Sequence, residues 1–214
     1  MLIHNKSIVL TIIMTLSPMA LADDLGQTIV MQGNGKGAMA CSICHGASGA
    51  GQAQAAFPKL AGLDPEYMQK QLEDFTTAKR NNPVMSPIAK ALTKEEAVAV
   101  SSYFAQMPTP APASANVDEP LIQAGKRLAE EGNWANDIPS CFACHGTNAN
   151  GIGANFPALA GQHASYIEQQ LNAWRSGQRS NDPNQLMASV SQRLSEAEIK
   201  AVSAFLANLS VTEH

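Results

Sequence analysis

The sequence predicts an all-α protein built as two tandem lobes. Three observations carry that expectation. Apolar Met68, Leu72 and Phe75 recur at i, i+4 and i+7, as do Ile167, Leu171 and Trp174, which is the spacing of one helix face. Alternating strand patterns are hard to find. The chain also reads as one unit written twice. Phe57, Pro58, Leu60, Ala61 and Gly62 return as Phe156, Pro157, Leu159, Ala160 and Gly161, and Tyr67, Gln71 and Leu72 return as Tyr166, Gln170 and Leu171. Arg80 pairs in the same way with Arg179, Pro83 with Pro183 and Met85 with Met187.

Taken in chain order, residues 1–22 read as a secretory signal. Lys6 lies in a short polar start, residues 7–16 are mostly apolar, and Ala20, Leu21 and Ala22 form a small-x-small cleavage site. The apolar stretch 8–16 falls well short of the roughly 20 residues that span a bilayer. The mature chain is therefore expected to begin near Asp23, outside the cytoplasm. The first lobe then covers residues 23–107. Its Gly33, Gly35 and Gly37 leave the opening helix of this lobe uncertain, and no Lys-Ser/Thr pair follows them to make a phosphate loop. Asp64 is placed to cap a helix with Pro65 in its first turn, and Thr93 with Glu96 has the spacing of a capping box. Residues 108–120 hold Pro108, Pro110, Pro112 and Pro120 among alanines, a semi-extended linker. The second lobe covers 121–214 and ends in a helix starting at the Ser195 and Glu198 box, with Ile199, Val202, Phe205, Leu206 and Leu209 on one face.

The chemistry lies in the cysteines. All four fall in two copies of one pentapeptide, Cys41 to His45 and Cys141 to His145, each reading CxxCH. That is the attachment signature of c-type haem. Two thiols on one helical turn can add to the two vinyl groups on one porphyrin edge, and the following imidazole then lies beneath the iron. A thioredoxin-like pair would need a βαβ context that neither motif has. A four-thiolate zinc site would need the pairs closer together and leaves two adjacent histidines without a role. Disulfides across a two-residue gap would close almost no loop. Two covalently attached haem c groups use every cysteine. They also supply the core that lobes of this size lack, since a chain that short buries only about 60% of its surface.

For the second axial position, Met85 and Met187 are the methionines that stay in register across the repeat, each in a polar loop behind a proline. Met68 fails this test because its counterpart is Ile167. His45 with Met85 and His145 with Met187 would give each iron an imidazole and a thioether, which raises the reduction potential and closes both axial positions. His163 is the competing ligand in the second lobe, at a position where the first lobe has Asp64.

The duplicated order of CxxCH, FPxLAG, YxxxQL and an arginine-to-methionine loop resembles the diheme cytochrome c4 family, with each lobe similar to a class I cytochrome c domain. The resemblance covers essentially the whole chain after the leader. It implies a periplasmic carrier, loosely associated with the inner membrane, passing single electrons from a quinol-oxidising bc-type complex to a haem-copper terminal oxidase. It further implies that the carbonyls of Pro58 and Pro157 hold the imidazoles of His45 and His145, and that Tyr67, Tyr166, Arg80 and Arg179 lie near the haem propionates. A diheme peroxidase and a cytochrome subunit of a larger respiratory complex share parts of this pattern. A peroxidase, however, needs one displaceable axial ligand.

Charge adds a minor point. Residues 23–107 hold seven Lys and Arg against eight Asp and Glu, and residues 108–214 hold six against ten. No basic patch suggests nucleic acid. Different faces toward donor and acceptor are one reading of this mild asymmetry, and a solvated surface alone accounts for it.

Overall fold

The computed structural model describes residues 18–112 and 118–210. Most of the expected leader therefore lies outside the described residues, and residues 18–22 form the beginning of the first helix. Ten α-helices are found among the described residues, five in each lobe. The first lobe holds α1 (Pro18–Gln32), α2 (Ser42–His45), α3 (Pro65–Thr76), α4 (Met85–Lys90) and α5 (Lys94–Ala105). The second holds α6 (Glu119–Glu131), α7 (Phe142–His145), α8 (Ala164–Arg175), α9 (Leu186–Arg193) and α10 (Glu196–Asn208). Extended pairing among the described residues is confined to isolated bridges.

Local chemistry explains most of the boundaries. The Asp64 carboxylate accepts the Tyr67 N–H and Pro65 occupies the first turn of α3, so donors left unpaired at a helix start are met by the preceding side chain. Thr93 with Glu96 and Ser195 with Glu198 form reciprocal capping boxes that start α5 and α10. The opening helix left uncertain by the glycines at 33–37 is present as α1. Helix α6 begins at Glu119, so Glu119 and Pro120, counted with the linker from sequence, form its first turn. Proline is tolerated there because that N–H has no helical partner.

In each lobe the first long helix crosses the last one at a glycine. A Cβ on Gly26 would lie 2.4 Å from Ala99 O, and one on Gly125 would lie 2.0 Å from Ala201 O. Backbone-to-backbone contact of that kind leaves no room for a side chain. Around the crossing of the first lobe, Ile29, Val30, Leu63, Met68, Val100 and Phe104 are buried together. In the second lobe Leu128, Ile138, Ile167, Leu171, Ile199, Val202 and Leu206 do the same.

The lobes meet along a seam with approximate two-fold character. Arg80 and Arg179 form an antiparallel bridge, and Ser180 N–H donates to Lys79 O at 2.9 Å. Ala158 of the second lobe packs against the core of the first.

Candidate functional site

Both pentapeptides form a single helical turn. Cys41 and Cys141 stand at the caps of α2 and α7 in helical backbone conformation. His45 N–H donates to Cys41 O and His145 N–H to Cys141 O, each at 2.9 Å. This brings both sulfurs and the imidazole to one side of the turn. The chain then reverses at Gly46 and Gly146, whose φ values of 77° and 81° lie in the left-handed region that favours glycine. Gly51 N–H and Gly151 N–H return to the carbonyls of His45 and His145 at 2.8 and 2.7 Å. A Cβ on Gly51 would lie 2.4 Å from Phe57 O, so this close approach is what lays the proline segment over the histidine.

The consequence is visible at the imidazoles. His45 Nδ1 is 3.0 Å from Pro58 O and His145 Nδ1 is 2.8 Å from Pro157 O. A carbonyl can only accept, so Nδ1 carries the proton in both rings and Nε2 presents its lone pair. Burial holds both histidines below their ordinary pKa, with the proline carbonyl acting in the opposite direction. Burial also pushes the Cys41 and Cys141 thiols up to about 11.

Each histidine faces a cavity. The first-lobe cavity, about 460 Å³, is lined by Cys41, Cys44, His45, Pro58, Met85 and Arg80 among others. The second, about 190 Å³, includes Cys141, Cys144, His145, Pro157 and Met187. Met85 opens α4 and Met187 lies in the first turn of α9, so a methionine and a histidine line the same cavity in both lobes. Tyr67, Gln71, Pro157, Leu159, Tyr166, Gln170 and Arg179 line both cavities.

That shared wall is strongly polar. Arg80 donates to Tyr166 Oη at 2.6 Å, Gln170 Oε1 at 2.8 Å and Gln71 Oε1 at 3.1 Å. Arg179 donates to Gln71 Oε1 and Gln170 Oε1, both at 3.0 Å, to Asn181 Oδ1 at 2.8 Å and to Tyr67 Oη at 3.5 Å. Phe75 and Trp174 stack under the two guanidiniums, at 4.6 and 3.9 Å from ring centroid to Cζ. Burial alone would raise the Tyr67 pKa, but the charges of Arg179 and Arg80 bring it below its ordinary value.

A cytochrome c family model matches residues 25–108 and again 122–210. A thiosulfate dehydrogenase electron acceptor from Stutzerimonas stutzeri (strain A1501) is 48% identical over 92% of this chain and 92% of its own length. Cytochrome c4 from Thiocapsa roseopersicina is 42% identical over 83% of this chain and 91% of its own. This chain belongs to the diheme cytochrome c4 family. Among solved structures, a thiosulfate dehydrogenase (TsdBA) from Marichromatium purpuratum superposes with a TM-score of 0.82 at 40% identity. It covers 88% of this cytochrome, which in turn spans 40% of that longer chain.

Two covalently bound haem c groups come with this family and with the two CxxCH motifs, and the chain's own residues fit them. His145 Nε2 is buried without a hydrogen-bond partner, a costly state for a ring nitrogen that a metal would relieve. Arg80 and Arg179 are 7% and 5% exposed and make no ion pair among the described residues. Two buried cations side by side call for anions, which haem propionates would supply.

Lys59, Gln162 and Ser165 carry no signal of their seam role in the repeat motifs. They bind across the lobes: Lys59 Nζ donates to Ala160 O at 2.9 Å and Ser165 Oγ to Ala53 O at 2.6 Å. His163 Nε2 lies 2.8 Å from Ala50 O, so the competing axial ligand considered from sequence is engaged across the seam. The signal that could have found Lys59 and Gln162 is a break in the repeat. Buried polar residues stand at the variable position of FPxLAG and just after the motif, where the other copy has Ala158 and Leu63.

Proposed function

We propose that this cytochrome is a periplasmic two-haem relay that takes single electrons from a thiosulfate dehydrogenase and passes them on toward a haem-copper terminal oxidase. In this reading His45 with Met85 and His145 with Met187 would hold the two haem irons. The carrying observation is the near full-length likeness, at 48% identity, to a protein named as a thiosulfate dehydrogenase electron acceptor. A second support is the longer thiosulfate dehydrogenase chain within which the equivalent unit occurs. A bc-type complex, the donor that the family resemblance implies, is the competing donor.

When bound, each haem supplies reversible one-electron exchange. The chain's residues hold and limit that chemistry. Pro58 and Pro157 fix the ring orientation of the histidines through Nδ1. Met85 and Met187, which line the same cavities as the histidines, would hold the iron's remaining position and leave none open for peroxide. Arg80, Arg179, Tyr67 and Tyr166 would hold the propionates at the seam, where Tyr67, Tyr166 and Arg179 line both cavities. Met39, Ile43 and Val84 are exposed around the first lobe and offer an apolar rim to a partner.

Stopped-flow mixing of the oxidised protein with thiosulfate and a purified thiosulfate dehydrogenase tests the donor. Reduction of both haems on the timescale of enzyme turnover is expected. Reduction only by quinol and a bc-type complex would reverse the donor assignment. Peroxide consumption by the half-reduced form would overturn the carrier reading itself.

A further inference from the structure

We propose that Gln162, in the second lobe, is a positioning residue that tunes the haem of the first lobe through one peptide group. The inference rests on His45 being an axial ligand. The Pro58 carbonyl, which accepts from His45 Nδ1 at 3.0 Å, belongs to the same peptide group as the Lys59 N–H. That N–H donates to Gln162 Oε1 at 2.9 Å, while Gln162 Nε2 donates back to Lys59 O at 3.0 Å. The two bonds fix which end of the Gln162 amide is oxygen. Gln162 and Lys59 are both 4% exposed, so water does not compete for this amide.

The physical effect has a definite sign. Donation through the N–H end of a peptide polarises it and places more negative charge on its carbonyl oxygen, a cooperative gain of about 10–30% per bond. Pro58 O thereby becomes a stronger acceptor and draws the His45 Nδ1 proton. The imidazole becomes more electron-rich and favours the oxidised iron. Gln162 thus lowers the potential of the first haem.

The arrangement is one-sided. In the second lobe the equivalent N–H belongs to Ala158 and makes no hydrogen bond among the described residues. The residue of the first lobe equivalent to Gln162 is Leu63, a buried apolar side chain. The first lobe therefore cannot return the bond, and two pockets with the same residue types around iron are driven apart in potential. Because the bond crosses the seam, the offset exists only while the lobes are docked.

The test uses the holoprotein with both haems. Gln162→Met keeps the volume and removes both bonds to Lys59, together with the bond that Gln162 Oε1 accepts from His163 N–H at 3.1 Å. It should shift electron exchange between the haems two- to threefold toward a reduced first lobe, about 18–28 mV at 59 mV per tenfold. The second haem should stay where it was. In the reduced protein the His45 Nδ1–H proton resonance should move upfield. Gln162→Glu retains an acceptor for the Lys59 N–H and should show no shift toward a reduced first lobe.

Ser165→Ala removes a different bond of the same seam and controls for lobe opening. An equal shift in Ser165→Ala, or an unmoved His45 resonance in Gln162→Met, would overturn the proposal. If instead the wild-type His45 ring protons lack the large porphyrin ring-current shift, it is the axial assignment that fails.

Discussion

The two lobes repeat one another where they hold haem and differ where they touch. Turn geometry, proline carbonyl, helix crossing and cavity methionine recur in both copies. At the seam, Arg80 mirrors Arg179, Tyr67 mirrors Tyr166 and Gln71 mirrors Gln170, whereas Lys59 faces no second lysine and Gln162 no second glutamine. Duplication made the pockets alike, and the docking surface is where the two haems can be given different properties.

Removing one cofactor is the largest break in that comparison. A lobe of this size depends on haem for its core. Cys141→Ala with Cys144→Ala should halve the haem per chain and abolish cooperative helix formation in the second lobe while the first still melts as a unit. Circular dichroism with haem quantitation checks this. Native-like helicity in a haem-free second lobe would refute it.

Next come the methionines. Met85→Ala and Met187→Ala should each remove about half of the methionine-to-iron band in the far red of the oxidised spectrum. Each should also lower one potential by on the order of 0.1 V, since axial ligands span about 0.8 V. An unchanged band excludes the residue as a ligand.

The glycine crossings sharpen the comparison quantitatively. Gly125→Ala and Gly26→Ala should each destabilise by about 1–3 kcal/mol through overpacking. The second lobe should suffer more, because its added Cβ meets Ala201 O at 2.0 Å against 2.4 Å to Ala99 O in the first. Denaturant melts of the two variants give the ranking, and equal costs would contradict it.

The narrowest effect, confined to alkaline pH, belongs to Lys59, whose burial lowers its pKa to about 8. Its ordinary value is about 10.4, so between these two pH values the unfolded chain binds the extra proton and stability rises with pH. Lys59→Met should flatten that rise in the unfolding midpoint measured from pH 8 to 10. A slope that persists would place the titration elsewhere.

Much of this was legible in the sequence, for identifiable reasons. CxxCH fixes a covalent geometry, period-3.6 patterning marks α3, α8 and α10, and capping residues mark the starts of α3, α5 and α10, because local backbone needs dictate those residue types. Opening helix α1 is obscured by Gly33, Gly35 and Gly37, which read locally as loop and in fact follow the helix end at Gln32. Its Gly26 is explained only by the crossing with Ala99. The seam was illegible for the same physical reason. Lys59 to Ala160, Gln162 to Lys59 and His163 to Ala50 join residues about a hundred positions apart, and no local pattern encodes a docking surface.

The exchange of partners at the seam carries one more consequence. Arg80 reaches Tyr166 and Gln170 while Arg179 reaches Gln71 and Tyr67, which is the contact rule of an isologous dimer. A single-lobe ancestor pairing with its own copy could have formed the same surface, with every substitution felt twice. Joining the halves in one chain removes that constraint, and a lone Lys59 opposite a lone Gln162 is the kind of pair that only a tandem gene can accumulate.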